Sequence, residues 1–187
     1  MAKDNLRRFF ANLWEVLEIL LIAFITVYVI RTFIGQPFLV SGASMEPSFE
    51  DGNYLLIDEL TYRFRDPVRG EVIVFKYPGD NKSFFIKRII GLPGESIQIR
   101  NNEITVIHTD GSQQTLLEDY TLDLEYKLRP RDMVLDEDEY FVMGDNRGNS
   151  FDSRNWGALE EKNIVGLVRL RLFPVNEIGT LKPAVYN

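Results

Sequence analysis

The sequence predicts a mainly β protein: an N-terminal transmembrane helix, then an antiparallel β-rich core carrying a small inserted cap. Three observations predict it. An apolar run, Ile19–Ile30, follows a basic N-terminus. Beyond it the chain breaks into short β-type runs separated by Gly, Pro, Asp and Asn. One stretch, Thr115–Glu139, is acidic, weakly periodic and free of Gly, unlike its flanks.

The first element is the helix. Ile19–Ile30 alone spans 12 residues, and extension to Gly35 gives 17 with one charge, Arg31, close enough to the end to snorkel. Glu15 and Glu18 then fall in the inner headgroup zone beside Trp14, with Tyr28 toward the outer side. Lys3, Arg7 and Arg8 precede the run, and no Lys or Arg occurs between Arg31 and Arg63. The positive-inside bias therefore places the N-terminus in the cytoplasm and the chain after about residue 36 outside. Residues 1–35 are expected to be a cytoplasmic N-terminus and single anchor in the cell membrane. Residues 36–187 are expected to form an extracytoplasmic domain with an insertion at about 101–139. A cleaved signal peptide is the competing reading, since Ser41-Gly42-Ala43 has the small-x-small form of a cleavage site. That site lies 13 residues beyond Ile30, too far from the apolar core for easy processing. A buried soluble helix leaves the all-round hydrophobicity of the run unexplained.

The strands follow. Candidates are Gln36–Ser41, Tyr54–Ile57, Glu71–Tyr77, Ser83–Ile90, Ser96–Arg100, Glu103–Thr109, Glu139–Met143 and Ile164–Phe173. Asn101-Asn102 and Asp110-Gly111 tolerate the positive φ of tight hairpin turns, so that stretch reads as a meander. Pro67, Pro78, Pro93 and Pro130 fall between strands rather than inside them.

Composition removes much chemistry. The 187 residues suit one main domain. With no Cys, disulfides, thiolate catalysis and Cys-based zinc sites are excluded. A single His forbids a multi-His metal site, so neither metal nor cofactor is expected. The 21 basic and 28 acidic side chains give a net charge of −7, against a nucleic-acid partner. Nothing indicates an oligomer.

Three constellations remain. Ser44 stands after two small residues in SGASMEP, residues 41–47, where a substrate backbone can approach a hydroxyl. Gly42 can take a turn conformation that aims backbone N–H groups at one point. The same loop is also compatible with a plain turn. Neither G-x-S-x-G nor S-x-x-K is present, because Glu46 and Pro47 occupy the required positions.

A serine nucleophile needs a base. His108 lies in a strand with Ile104 and Val106 on its side and reads as a half-buried sheet residue. A lysine serves only if burial makes it the neutral amine. In KSFFIKRIIGLPGE the strand period places Phe85, Lys87 and Ile89 on one face and Ile86, Arg88 and Ile90 on the other. Lys87 is thus flanked by apolar groups, although the segment by itself favours a stem that covers apolar surface with its head in water. The third constellation, GDNRGNSFDSRNWG at 144–157, is a loop rich in side-chain-to-backbone hydrogen bonds. It fails the calcium-loop pattern because of Arg147. In it Ser150 has the reach to hydrogen-bond an amine, and Asp152 to pair with Arg154.

SGASMEP at 41–47, RGEVIVF at 69–75, KRIIGLPGE at 87–95 and GDNRGNSFDSR at 144–154 resemble, in order and behind an N-terminal anchor, four boxes of the bacterial type I signal peptidases. The resemblance implies a Ser-Lys endopeptidase with a β-rich core related to LexA-type self-cleaving proteases. It implies Ser44 as nucleophile, Lys87 as general base, Ser150 as the group orienting the amine, and Asp152 and Arg154 as braces. Some members carry a serine where this chain has Gly42. The Ser44 N–H then carries more of the oxyanion stabilisation, about 3–4 kcal/mol per donor. The short insertion implies a reduced second lobe. The implied substrates are exported preproteins with small residues at the first and third positions before the cleaved bond, processed at the outer face of the lipid bilayer. By position, Phe38, Val40, Met45, Val74 and Ile86 are the pocket-wall candidates. A LexA-type regulator would carry a DNA-binding helix-turn-helix where this chain has a membrane run. An inactive anchored binding module would use the same boxes as scaffold alone.

Overall fold

Residues 2–33, 35–121 and 128–186 are described in the computed structural model, with side chains of the first helix described over 12–28. That helix, α1 (Ala2–Phe33), has 32 residues, and its large apolar side chains from Leu13 to Tyr28 are exposed around the whole circumference. The span expected from the sequence continues through residues 29–34, whose side chains, including Arg31, lie outside the described residues. Among the described residues no helix is long and apolar enough to cross a membrane. The chain leaves the helix through Gly35, at φ 128°, where a Cβ would stand 1.9 Å from the Ile57 carbonyl oxygen. Only glycine allows that approach.

Twelve strands follow among the described residues, all paired antiparallel. β1 (Gln36–Leu39), β2 (Tyr54–Asp58), β3 (Val72–Lys76) and β4 (Phe84–Gly91) belong to a large sheet. β5 (Ser96–Arg100), β6 (Glu103–Ile107), β7 (Gln113–Thr115) and β8 (Arg131–Val134) form a small sheet in the order β7-β6-β5-β8. β9 (Glu139–Met143), the one-turn helix α2 (Ser153–Trp156), β10 (Leu159–Glu160), β11 (Ile164–Phe173) and β12 (Gly179–Thr180) return the chain to the large sheet. Its order is β1-β2-β11-β3-β4-β9-β10, with β12 paired to β11.

Alternation along β3 explains its apolar run. Val72 and Val74 pack with Val40, Met45, Phe49 and Leu55 on one face, while Ile73 and Phe75 pack with Ile89, Tyr140 and Val142 on the other. A strand covered on both faces needs apolar residues at every position rather than every second one. A third core lies between the sheets, where Ile97, Ile99, Ile104 and Val106 meet Ile90, Phe141 and Met143.

All eight expected strands are present, with ends shifted by at most two residues. The differences lie in four short strands, β7, β8, β10 and β12. The stretch Thr115–Glu139, expected to be irregular, contains β8, and residues 122–127 of it lie outside the described residues. β8 pairs with β5 through its backbone, yet Asp132 and Val134 are exposed, so it has little apolar signature. β5 pairs within the small sheet. That sheet therefore takes in Ser96–Arg100 as well as residues of the insertion expected at about 101–139.

Candidate active site

Two segments meet at one point of the large sheet. The first is the loop after β1. Val40 N–H donates to Asn53 O at 2.9 Å and Gly52 N–H to Val40 O at 3.0 Å, closing the base of the loop. Val40, Met45 and Phe49 anchor it in the core. Apolar side chains on either side of Ser44 thus fix a polar residue at the loop's surface.

The second is β4, held between β3 and β9. It delivers Lys87, whose Nζ donates to Ser44 Oγ at 2.7 Å and to the Ile86 carbonyl at 2.8 Å. The Phe85 ring centroid lies 5.6 Å from the same nitrogen. Lys87 is only 4% exposed. Burial lowers its pKa to about 8, against the opposing pull of Asp152 and Asp145 and with help from Arg154. The amine therefore loses its proton at a pH where an exposed lysine keeps it.

The third constellation backs this pair. Asp152 is fully buried and caps α2, its Oδ1 accepting the Arg154 N–H at 3.2 Å. It also accepts from Gly144 N–H at 3.0 Å, from Ser150 Oγ at 2.7 Å, and from Arg154 Nε and Nη2 at 2.8 and 2.7 Å. Burial raises the Asp152 pKa, but the Arg154 hydrogen bonds and charge outweigh it, and the carboxyl is held below its ordinary value. The loop is also stitched to the serine. Asn146 N–H donates to Ser44 O at 3.1 Å, and its side-chain amide donates to Ala43 O at 3.0 Å. At Gly144 a Cβ would lie 2.3 Å from both Ser44 O and Ser150 Oγ.

One expected hydrogen bond finds a different partner. The Ser150 hydroxyl donates to Asp152, and the amine of Lys87 is oriented by Ser44 and the Ile86 carbonyl instead. A carboxylate is the stronger acceptor, and Asp152 is within reach two residues away. Gly42 takes a positive-φ turn, at φ 90°, and its own N–H donates to Asp51 Oδ1 at 2.7 Å. The Ser44 N–H makes no hydrogen bond among the described residues.

A groove of about 700 Å³ opens over the pair, lined by Phe38, Val40, Val74 and Ile86 among others. Met45, the fifth pocket-wall candidate, is fully buried and packs beneath the loop instead of lining the groove. Its neighbour Ser44 faces the opening, so the intervening backbone turns Met45 inward. Phe84 and Phe151 line the groove as well, and Phe84 meets Phe38 edge to face at 5.5 Å. His108 sits beyond β6 with Nδ1 2.8 Å from Glu95 Oε1, in keeping with a structural residue.

Sequence reasoning missed a buried ion pair. Arg88 is bonded through Nε and Nη2 to Asp145 at 2.8 and 2.6 Å, and Ser48 Oγ donates to the same carboxylate at 2.5 Å. The three residues are distant in sequence. The only available signal was an arginine at an apolar strand position, which demands a buried acid.

A serine hydroxyl against a desolvated amine, at the floor of an apolar peptide-sized groove, is the arrangement of a hydrolase that attacks carbonyl carbon. The family model for signal peptidase, peptidase S26, matches residues 13–173, and the chain belongs to that family. Family membership makes it a serine endopeptidase of the signal peptidase type. It is 36% identical over 174 residues to a probable signal peptidase I-1 of Synechocystis, covering 89% of this chain and 86% of the relative. It is 35% identical over 186 residues to signal peptidase I P of Bacillus subtilis subsp. natto, covering 96% and 99%. A signal peptidase I of Leptolyngbya laminosa is 36% identical over 163 residues, covering 82% and 76%.

Proposed function

We propose that this signal peptidase removes N-terminal signal peptides from exported preproteins with Ser44 as nucleophile and Lys87 as general base. The observation that carries the assignment is the 2.7 Å contact between a buried amine and the serine hydroxyl. Once the amine is neutral the same 2.7 Å contact can reverse, the Ser44 hydroxyl donating to the Nζ lone pair. As Ser44 Oγ bonds to the scissile carbonyl carbon, its proton passes to Lys87 Nζ. The ammonium then gives that proton to the departing amine, leaving an acyl-enzyme. Water, losing a proton to the regenerated amine, attacks the ester carbonyl. As the bond to Ser44 Oγ breaks, the ammonium returns that proton to Oγ, and the signal peptide leaves with a new C-terminal carboxylate. The Ser44 N–H, left without an acceptor by the described residues, is the donor we assign to the oxyanion. Asp152 and Arg154 brace the loop, and Ser150 links it to the site by its bond to Asp152. Gly42 shapes the turn, with its N–H fixed by Asp51.

Phe38, Val40, Val74 and Ile86 form the wall against which an extended substrate lays its small side chains. β1 is an edge strand, which leaves its outer backbone groups open to such a peptide. Residues 1–35 act as the anchor, N-terminus inside, and 36–187 as the extracytoplasmic catalytic domain. What supports the reading is the sequence, with its apolar run Ile19–Ile30 behind a basic flank, together with a helix of 32 residues, about 48 Å in length. The described residues alone do not make that helix long and apolar enough to cross a membrane. Substrate and enzyme then meet at the outer surface of the same bilayer.

The test is incubation of the purified full chain with a preprotein, reading the new N-terminus by mass spectrometry. Cleavage after a small residue, absent in Ser44→Ala, is expected. No cleavage by the wild-type chain at pH 8–9 would favour an inactive binding module instead. Protease protection in membrane vesicles tests the topology: the catalytic domain should be digested only from the outer side.

A further inference from the structure

We propose that Tyr120, from the small-sheet lobe, and Tyr186, from the segment after β12, are positioning residues for this reaction, gripping Arg88 and, through Glu118, Arg147 so that the loop 144–150 is held against Ser44. The proposal rests on the roles given to Ser44 and Lys87 above.

Arg88 follows Lys87 on β4 and is 5% exposed. Two of its nitrogens bond to Asp145, and Nη1 donates to the Gly70 carbonyl at 2.8 Å. Its remaining open side is a face of the guanidinium plane, and there the Tyr120 ring lies, centroid 4.2 Å from the central carbon. The ring supplies a cation–π contact and keeps water from the Arg88–Asp145 pair, which strengthens that pair.

The phenol of Tyr120 extends the grip. It donates to Glu118 Oε1 at 2.6 Å and lies 2.7 Å from Tyr186 Oη. Burial first, then Glu118, pushes its pKa up, so it stays a donor. Glu118 in turn accepts from both terminal nitrogens of Arg147, whose Nε donates to Gly144 O at 3.1 Å. One side of the cluster therefore holds Asp145 through Arg88, and the other holds Gly144 through Arg147. Asn146, flanked in sequence by Asp145 and Arg147, is the residue bonded to the Ser44 and Ala43 carbonyls.

Tyr186 is brought in by its own segment. Ala184 N–H donates at 3.1 Å to the Gly70 carbonyl that also accepts from Arg88. A Cβ at Gly70 would come within 2.3 Å of the Ala184 oxygen. Gln114 Nε2 adds a bond to the Tyr186 carbonyl at 3.3 Å. Neither tyrosine hydrogen-bonds to Ser44 or Lys87 among the described residues, so their action is through the loop. A displacement of about 1 Å at a reacting group costs on the order of 100-fold in rate, so a loosened grip reads out in turnover.

The experiment compares the full chain with Tyr120→Phe, Tyr120→Leu, Tyr186→Ala and Asp132→Asn on one preprotein, measuring kcat, KM and Tm. Asp132 pairs with Arg100 at the exposed end of the same sheet and controls for general disturbance of the lobe. Tyr120→Leu is expected to lose about tenfold or more in kcat with KM within about twofold, a split that a purely structural residue would not give. Tyr120→Phe keeps the ring over Arg88 and should retain more turnover than Tyr120→Leu, and Asp132→Asn should match wild type. A Tyr120→Leu enzyme turning over at the wild-type rate, or losing only in KM, overturns the proposal. Should Tyr120→Leu not fold, Tyr186→Ala decides on the same terms: reduced kcat supports the grip and wild-type kcat overturns it. A wild-type chain that cleaves no preprotein overturns the function itself, whereas active wild type with unaffected variants overturns only the positioning role.

Discussion

The Nζ of Lys87 and the Oγ of Ser44 are 2.7 Å apart across 43 residues of sequence, and the amine is shut away from solvent. The contact is short enough for direct proton transfer. Removing the amine in Lys87→Ala is expected to lower kcat on a preprotein by about 10²–10⁴-fold. Lys87→Arg should be equally poor, since a guanidinium with pKa above about 12 cannot serve as base. Steady-state cleavage assays check both. Substantial turnover by Lys87→Arg would remove the lysine from its proposed role.

The pH profile follows from the same burial. The amine is active when neutral, and its pKa is lowered from 10.5 to about 8. Below that value the active fraction falls about tenfold per pH unit, and above it the rate levels off. A profile of kcat/KM should therefore show an acid limb centred near 8. A rate already constant from pH 5 upward would contradict a lysine base.

Asp152 concentrates structural and catalytic demands in one carboxylate. It is fully buried, caps α2, and binds Arg154, Gly144 and Ser150. Breaking a buried pair by neutralising one member costs about 3–5 kcal/mol, so Asp152→Asn should lower stability by that order as well as activity. Denaturant melts measure it, and a variant as stable as wild type would show the pair to be dispensable.

Gly144→Ala probes the close approach behind the serine. The added methyl would sit 2.3 Å from the Ser44 carbonyl oxygen, a backbone atom that cannot rotate away. The loop must shift, and with it Ser44. A fall in kcat is expected, and undiminished turnover would mean that the loop yields without moving the serine.

Met45 and Val74 separate core from groove. Met45→Ala leaves a cavity under the loop and should cost about 2–5 kcal/mol of stability. Val74→Ala enlarges the groove wall and should admit a preprotein with a bulkier residue before the cleaved bond. Competition between two preproteins differing at that position reads the change. An unaltered preference would take Val74 out of the specificity wall.

Much of this molecule was written in local pattern. Short apolar runs with Gly, Pro and Asn between them marked eight strands, alternating where one sheet face is buried, as in β5 and β6, and continuous where both are, as in β3. The flanking of Lys87 by Phe85 and Ile89 was legible for the same reason. The short strands β7, β8, β10 and β12 were not, because they pair mainly through backbone groups that every residue possesses.

The sequence by itself determined the residue types of the site and the apolar surroundings of its lysine. Apart from the local Asp152–Arg154 pair, tertiary structure decided which acceptors the donors of the site found. Ser150 turned to Asp152, Gly42 to Asp51, and Arg88 to Asp145 across 57 residues. Hydrogen bonds and ion pairs are short-ranged and directional, so their partners are fixed only when packing of the sheets brings distant segments within about 3 Å.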